Sequence, residues 1–301
     1  MRIAHINNVA GVSSSLAKYQ RKRGHEADVF VFNRTIHNQF GGNLISYRWN
    51  LQRKKSVIEK LRPYDAWHYH YPFGSLKKLL EKELDRRVYL KHYHGSDIRG
   101  MYDDDFCIVS TPDLLKYTRN GKWFPNPIDL EEIESIQQMS NIVNRGNVLR
   151  VAHYPYYQVY KEQDYHTEVL ADLQKQGKID IIKILGVPHR QSLEIISSCD
   201  IVVGKILPHI GWFGKTELEG MAFSKPVMAY VSDELYDKYK PPIFRTTVQS
   251  FRKDIESIIL DGPERQSLGK RAAAYIKEHH SAENLIEKLD SYYQKIYHKP
   301  K

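Results

Sequence analysis

The sequence predicts an α/β protein of two domains, each built on a parallel β-sheet covered by helices. Short apolar runs alternate with amphipathic helical patterns along most of the chain, which is typical of parallel sheets. The alternation stops once, at the polar, proline-containing segment 125–147, and then starts again. A length of 301 residues is also about twice that of a typical single domain. We therefore expect a first domain over residues 1–147 and a second over 148–301.

The first half of the chain predicts five strands and three helices. Gly11 lies in the turn after the first strand, and Gly24 ends the first helix. The apolar runs predict strands at 2–6, 26–32, 66–71, 87–95 and 106–110. Helical spacing of apolar residues predicts helices near 13–23, 51–62 and 75–86.

The second half repeats this pattern after a linker that carries a short helix. Strands are predicted at 149–153, 179–185, 200–205 and 226–230. Helices are predicted near 165–176, 190–199, 215–223, 248–260, 265–279 and 281–297. We expect the last helix to pack back on the first domain. In sheets of this kind, ligands bind at the carboxyl ends of the strands.

Composition excludes several classes of protein. A hydrophobic fraction of 41% and a mean hydropathy of -0.56 are typical of a globular chain rather than a disordered one. No apolar stretch reaches the roughly 18 residues of a spanning helix, and the N-terminus lacks an apolar secretory signal. Two cysteines, Cys107 and Cys199, are too few for a disulfide framework or a cysteine-only zinc site. We therefore expect a cytoplasmic protein.

The charge balance favours anionic partners. The formal net charge is +9, which suits nucleic acids, phosphorylated small molecules or an anionic membrane surface. No nucleic-acid-binding module is recognisable, and the aromatic residues do not interleave with the cations in a base-stacking pattern. We therefore expect no nucleic-acid partner.

Segment 211–227, GWFGKTELEGMAFSKPV, is the most informative stretch of the chain. It runs from a glycine-containing loop into a helix that ends before Pro226. The N–H groups and dipole at such a helix N-terminus suit phosphate oxygens. A carboxylate within the helix, Glu217 or Glu219, can accept hydrogen bonds from sugar hydroxyls. An ordinary loop and an amphipathic helix with solvent-facing carboxylates give the same pattern, so the residues alone leave both interpretations open.

This segment resembles the second-domain motif of retaining GT-B glycosyltransferases, particularly family four, which reads roughly E-G-F-G-L-P-x-L-E-A-M-A-x-G-x-P-V. The resemblance implies two Rossmann-like domains facing each other across a cleft, an acceptor-side domain followed by a nucleotide-sugar-binding domain. It implies that Glu219 contacts the donor ribose and that Trp212, Phe213 and Gly214 contact the donor sugar and phosphates. Gly211 stands where the family has a glutamate that typically contacts the donor hexose.

Further motifs of the family follow in the same order along the first half. HYHGSDIRG (92–100) resembles the H-G-x-D segment, which implies that His94 orients the reacting sugar and that Asp97 belongs to the same site. FPNPID (124–129) resembles the N-P-x-D run before the interdomain linker. Gly11 stands where these enzymes place a loop that faces donor phosphate and acceptor. A plain turn explains the same glycine.

Two further segments carry donor-binding residues in the second half. LGVPHRQSLEIISSCDIVV resembles the nucleotide-side segment, which implies that Val187 lies near the base. Lys161 matches a lysine that binds the diphosphate, whereas Gln158 stands in place of the partner arginine. One of two diphosphate-binding cations is therefore missing, and Lys205 or Lys215 could replace it.

We expect no metal or other cofactor besides the donor, because in GT-B enzymes backbone dipoles and cations balance the diphosphate charge. Asp103 to Asp105 are expected in a solvated loop. Histidines alternate along two predicted strands and superficially resemble a zinc cluster, but no carboxylate or cysteine completes a persuasive set. The four are His68, His70, His92 and His94.

Two predicted helices are basic. Segment 51–62 has five basic residues and one glutamate, and segment 75–91 has six basic and three acidic residues. Solvated helix faces explain this charge. So does peripheral contact with the inner face of the membrane, which would bring the protein to a lipid-linked acceptor.

The resemblance implies transfer of a sugar, with retention, from a UDP- or GDP-sugar to a hydroxyl of a glycan or lipid-linked acceptor. Two alternatives stay open. The departures at Gly211 and Gln158 suggest a non-catalytic relative that binds a nucleotide sugar. A GT-B-fold epimerase acting on the nucleotide sugar itself is the other.

Overall fold

The computed structural model describes residues 1–31, 40–44, 51–72, 74–84, 87–140, 148–155 and 164–297. The chain divides into two compact units. The first consists of Met1–Pro127 together with Ala282–Lys301, and the second is Ile128–Ser281. No helix within the described ranges is long and apolar enough to cross a membrane.

The described residues form twelve strands and eleven α-helices. The strands are β1 Arg2–Ile6, β2 Glu26–Val31, β3 Asn43–Leu44, β4 Ala66–His70, β5 Val88–Tyr93, β6 Asp103–Val109, β7 Thr118–Trp123, β8 Leu149–His153, β9 Ile179–Lys183, β10 Ile201–Val203, β11 Val227–Ala229 and β12 Phe244–Arg245. The helices are α1 Val12–Lys22, α2 Leu51–Leu61, α3 Gly74–Lys82, α4 Leu130–Ser140, α5 Asp164–Lys175, α6 His189–Ser198, α7 Lys215–Ala222, α8 Asp233–Tyr239, α9 Phe251–Leu260, α10 Gly262–His279 and α11 Ala282–Tyr297.

The sheet of the first unit has the strand order β3-β2-β1-β4-β5-β6-β7, and every neighbouring pair is parallel. The chain first adds strands on one side of β1 and then continues from β4 on the other side. The switch point therefore lies between β1 and β4, where the carboxyl ends of strands favour ligand binding. The register pairs His5 with His68 and His70 with His92.

The sheet of the second unit has the order β12-β11-β10-β8-β9 and is also parallel throughout. Here the chain crosses over between β8 and β10. This second switch point lies where β10 runs into the segment 204–214 and helix α7. Both units thus have the parallel α/β architecture that the alternation of patterns predicts.

The two units do not coincide with the expected domains 1–147 and 148–301. Helix α4 belongs to the second unit because its apolar face, Ile133 and Ile136, packs into the same core as Leu193 and Phe213. Helix α11 belongs to the first unit, which agrees with the expectation that the last helix packs back on the first domain. Packing of apolar faces, rather than the position of the polar segment, sets these divisions.

Helix α11 completes the core of the first unit. Its buried residues recur at helical spacing, at Leu285, Ile286, Leu289 and Tyr293, and form one cluster with α1, β1 and β5. Helices α1 and α11 together cover this apolar face, and without α11 part of it would be exposed to water.

Two stretches of the first unit differ from the expectations. Asp103 to Asp105 are not a solvated loop, because β6 begins at Asp103 and the buried Asp103 carboxylate lies 2.6 Å from the Lys91 ammonium. Strand β7 was not predicted from the sequence. It lies at the edge of the sheet, and its mostly polar residues are partly or fully exposed, so it lacks an apolar pattern.

We expect Leu289→Ala to lower the free energy of unfolding by about 2–5 kcal/mol, because it leaves a cavity in a fully buried part of this core. Chemical denaturation measures the change. Glu287→Ala, on the exposed side of the same helix, is the matched control and should shift stability by less than about 0.5 kcal/mol. Equal stability of the two variants would contradict this account of α11.

Candidate functional site

A buried carboxylate organises the segment that follows β10. Glu217 is fully buried, and its Oε1 accepts the backbone N–H of Lys205 at 2.6 Å while its Oε2 accepts that of Gly214 at 2.9 Å. The absence of a side chain at Gly204 leaves space for the Glu217 side chain, since a Cβ at position 204 would lie 2.2 Å from the Glu217 Cγ. Glu217 therefore joins both ends of the 204–214 segment and fixes its shape.

The predicted residues of this segment have mainly structural contacts. Gly211 has φ +78, a left-handed conformation that explains a glycine where the resembled motif has a glutamate. Trp212 and Phe213 stack with ring centroids 4.6 Å apart and are buried in the core of the second unit. The Gly214 N–H donates to Glu217, and contact of Gly214 with the donor stays a prediction.

The N-terminus of α7 nevertheless carries positive charge. Gly214 is the N-cap and has no side chain to cap the helix, and the Thr216 N–H donates to no atom of the described residues. Lys205 lies against the Gly214 Cα, since a Cβ there would be 2.6 Å from the Lys205 Nζ. Lys215 is the first residue of the helix, and burial lowers the pKa of its ammonium while Glu219, Glu132 and Asp129 oppose that change.

Glu219 lies one turn into α7 and is 5% exposed. Its Oε1 accepts a hydrogen bond from His189 Nε2 at 2.7 Å, and the Lys215 Nζ is 4.0 Å from the same oxygen. The Glu219 Oε2 accepts no hydrogen bond from the described part of the chain. His189 was not predicted as a site residue, although it follows Val187 and Pro188 in the segment that resembles the nucleotide side. Val187 packs against the core that holds Trp212.

Lys161 and Gln158 lie outside the described residues. The structure therefore gives no position for the lysine that the resemblance assigns to the diphosphate.

In the first unit, the predicted residues lie where β1 and β5 end. Gly11 has φ +73 and is the N-cap of α1. Asp97 is fully buried, and its carboxylate accepts the backbone N–H groups of His94 at 2.9 Å and Gly95 at 2.7 Å. Burial raises the pKa of Asp97 to about 6, and these hydrogen bonds partly offset that rise. Asp97 thus shapes the turn that carries the partly exposed His94.

Five histidines form a hydrogen-bonded cluster across β1, β4 and β5 and the turn after β5. His5 Nδ1 is 3.0 Å from His70 Nε2, and His70 Nδ1 is 3.1 Å from His94 Nε2. His68 Nε2 is 3.3 Å from His92 Nδ1. Within the described residues, two groups of three have ring nitrogens within 4.8 Å of one another, as a metal site requires. They are His5, His68 and His70, and His70, His92 and His94. The alternation along two strands indicated four of these residues, and the parallel register adds His5.

Burial keeps four of these five imidazoles neutral. It lowers the pKa of His5 to about 4 and lowers the pKa values of His68, His70 and His92 well below the usual 6.5. The unfolded chain therefore binds more protons than the native protein in mildly acidic solution.

We expect the free energy of unfolding to fall as the pH is lowered from about 7.5 to 5.5. Each such histidine contributes up to about 1.4 kcal/mol per pH unit below its unfolded pKa. Asp97 opposes this change because its native pKa is raised. It is one group against six histidines, because burial also lowers the pKa values of His153 and His166 to about 4. Denaturant titrations at fixed pH values measure the slope. His209→Gln, at an exposed histidine, should retain it, and a flat profile in the parent protein would contradict neutral burial.

Comparison with known proteins gives similarity at the level of structure. No protein-family model matches the chain, and no curated protein sequence matches it. The sucrose-phosphate synthase tll1590 from Thermosynechococcus elongatus is similar with a TM-score of 0.65 and 14% identity over 99% of both chains. A glycosyltransferase from Rickettsia africae ESF-5 has a TM-score of 0.65 and 13% identity over 99% of both chains.

Anabaena HepE (Alr3699), solved in complex with UDP-glucose, has a TM-score of 0.63 and 15% identity over 98% of this chain and 100% of its own. At these identities the comparison establishes the fold. The two parallel sheets and these similarities confirm the predicted fold class, and the chain has the two Rossmann-like domains of GT-B glycosyltransferases.

Proposed function

We propose that this protein is a glycosyltransferase that moves a sugar from a nucleoside diphosphate to an acceptor hydroxyl, with retention. The observation that carries this proposal is the arrangement around α7. Two lysines lie at its positive N-terminus, and a carboxylate paired with a histidine lies one turn further on. This arrangement lies at the switch point of a Rossmann-like sheet, where nucleotides bind in such folds. HepE, which shares the fold, was solved with UDP-glucose.

The diphosphate is assigned to the N-terminus of α7. The Thr216 N–H, the helix dipole and the ammonium groups of Lys205 and Lys215 all favour negative charge there. As the bond from the anomeric carbon to the phosphate oxygen breaks, its electron pair leaves with the phosphate, and these groups stabilise the new charge. The oxygen of the acceptor hydroxyl forms the new bond to the anomeric carbon, and its proton passes to the departing diphosphate. Lys161 is assigned to the same diphosphate from the motif alone. No metal is needed in this scheme.

Glu219 is assigned to the ribose. His189 donates to one carboxylate oxygen, which holds the side chain in place and leaves Oε2 as the acceptor for ribose hydroxyls. Val187, close in sequence to His189, is assigned to the neighbourhood of the base. The hydrogen bond from His189 orients the Glu219 carboxylate and therefore supports its assignment to the ribose.

His94 is assigned to the transferred sugar. It lies at the end of β5, is partly exposed, and is held by the buried Asp97. The donor is a UDP- or GDP-sugar, and the acceptor is a glycan or a lipid-linked sugar. Contact of the basic helices with a membrane surface is a prediction that follows from their charge.

Turnover separates this proposal from the two alternatives. The protein is incubated with a panel of UDP- and GDP-sugars, with and without candidate acceptors, and released nucleoside diphosphate is measured. A transferase releases it in an acceptor-dependent manner. Binding without release at any acceptor would favour the non-catalytic relative, and a changed sugar without acceptor would favour the epimerase.

We expect Glu219→Ala to weaken nucleotide-sugar binding by about 10- to 100-fold, which corresponds to the roughly 1.5–3 kcal/mol of hydrogen bonds to a charged group. Isothermal titration calorimetry measures the affinity, with circular dichroism to verify folding. Glu194→Ala, at an exposed glutamate of α6, is the matched control and should bind as the parent does. Unchanged affinity in Glu219→Ala would remove Glu219 from the site.

A further inference from the structure

The five histidines of the cluster form two hydrogen-bonded rows. The rows start at two residues that contact each other, Gln20 and Tyr293. The first row runs from Gln20 through His5 and His70 to His94, because His5 Nε2 lies 2.6 Å from Gln20 Oε1. Gln20 also donates from its Nε2 to the Tyr293 hydroxyl at 3.3 Å, where the second row starts.

The second row runs from Tyr293 through His68 to His92. The Tyr293 hydroxyl lies 2.8 Å from His68 Nδ1, and His68 Nε2 lies 3.3 Å from His92 Nδ1. Gln20, Tyr293, His68 and His92 are all fully buried, so water does not replace these partners. Gln20 on α1 and Tyr293 on α11 are thus the common origin of both rows.

The first row has one direction because its first acceptor cannot donate. The Gln20 amide oxygen only accepts, so His5 carries its proton on Nε2 and offers the Nδ1 lone pair. His70 must then donate from Nε2 to His5, and its own Nδ1 becomes the acceptor for His94 Nε2. His94 therefore carries its proton on Nε2, and its Nδ1 is an acceptor.

The direction of the second row follows from the nitrogen of the Gln20 amide. The Tyr293 hydroxyl accepts from the Gln20 Nε2 and donates its proton to His68 Nδ1. His68 then donates from Nε2 to His92 Nδ1, and His92 carries its proton on Nε2. The second row ends there, because this nitrogen has no hydrogen-bond partner among the described residues. Both rows thus place all five histidines in the same tautomer, and reversing the Gln20 amide would place all five in the opposite one.

The geometry favours hydrogen-bonded rows over a bound metal. The ring centroids of His5 and His70, of His70 and His94, and of His68 and His92 are all 5.3 Å apart. Each centroid separation exceeds the distance between the two paired nitrogens by about the width of one imidazole ring. The two paired nitrogens therefore lie nearly on the line that joins the two ring centroids. The lone pairs therefore point at a neighbouring nitrogen rather than converge on one ion, as tetrahedral ligation requires.

We propose that Gln20 is a positioning residue that sets the tautomer of His94, so that its Nδ1 accepts a hydrogen bond from a sugar hydroxyl in the transfer reaction. The part that concerns the reaction rests on the proposed function of His94. Gln20 acts through His5 and His70. Tyr293 orders the second row, because it links the Gln20 amide to His68. Helix α11 thereby contributes to the hydrogen bonding of the buried histidines.

The test is a two-bond ¹⁵N–¹H correlation spectrum of the full-length protein with ¹⁵N-labelled histidine, which distinguishes the two tautomers of each ring. Variants at each histidine in turn assign the signals. We expect all five cluster histidines of the parent protein to carry the proton on Nε2. The opposite tautomer at His94 would overturn the proposal.

Variants of Gln20 test the positioning role. Gln20→Met should populate both tautomers of His94 and lower kcat by about 2- to 10-fold, with KM for the nucleotide sugar unchanged, because only part of the protein then has the accepting Nδ1. Gln20→Glu keeps an acceptor for His5 and should retain the Nε2 proton on His94. An unchanged His94 tautomer in folded Gln20→Met would overturn the proposal.

Variants of α11 provide the second arm. Tyr293→Phe should change the tautomers of His68 and His92. Tyr292→Phe, a neighbouring tyrosine outside the rows, is the matched control and should leave all five unchanged. These spectra need no substrate, so they test the tautomers independently of the proposed function. A protein with the expected tautomers and no transferase activity would contradict the proposed function, but not the role of Gln20 in setting the tautomers. A protein with activity that does not respond to the His94 tautomer would contradict its role in the reaction alone.

Discussion

The need to satisfy buried polar groups determines how both candidate sites are built. In the second unit, the carboxylate of Glu217 has no access to water and takes two backbone N–H groups instead, one from each end of the 204–214 segment. An ionised carboxylate without these partners would cost several kcal/mol. The segment is therefore fixed before any ligand binds, and α7 starts with its dipole and two lysines in defined places.

In the first unit, buried imidazoles meet this requirement by pairing with one another, except at His92 Nε2, which has no hydrogen-bond partner among the described residues. A neutral imidazole donates from one nitrogen and accepts at the other, so such rings can be linked in rows. The direction of a row follows from a group that can only accept. The parallel register brings His5, His68 and His92 beside one another, and the packing of α11 on α1 brings Tyr293 to Gln20. Hydrogen bonds thus connect the partly exposed His94 to buried residues in the centre of the core.

The local sequence pattern was sufficient to predict most helices and strands, because the apolar periodicity of an element depends only on neighbouring residues. Strand β1 has the predicted bounds, as does β8, and α7 is within one residue of them. The edge strand β7 could not be found this way, since its stability comes from pairing with β6 rather than from an apolar face. The assignments of α4 and α11 to the two units also depend on which cores cover their apolar faces, which lie far away in sequence.

The sequence by itself determined the α/β class, the position of the glycine-containing segment before α7, and the residues of the motif that resembles a donor site. Only the tertiary structure decided what those residues contact. It showed that Glu217 fixes the loop, that Glu219 pairs with His189, and that the Gly214 amide is engaged. The physical reason is that a motif specifies which chemical groups are present, whereas burial and hydrogen-bond partners come from residues brought together by the fold.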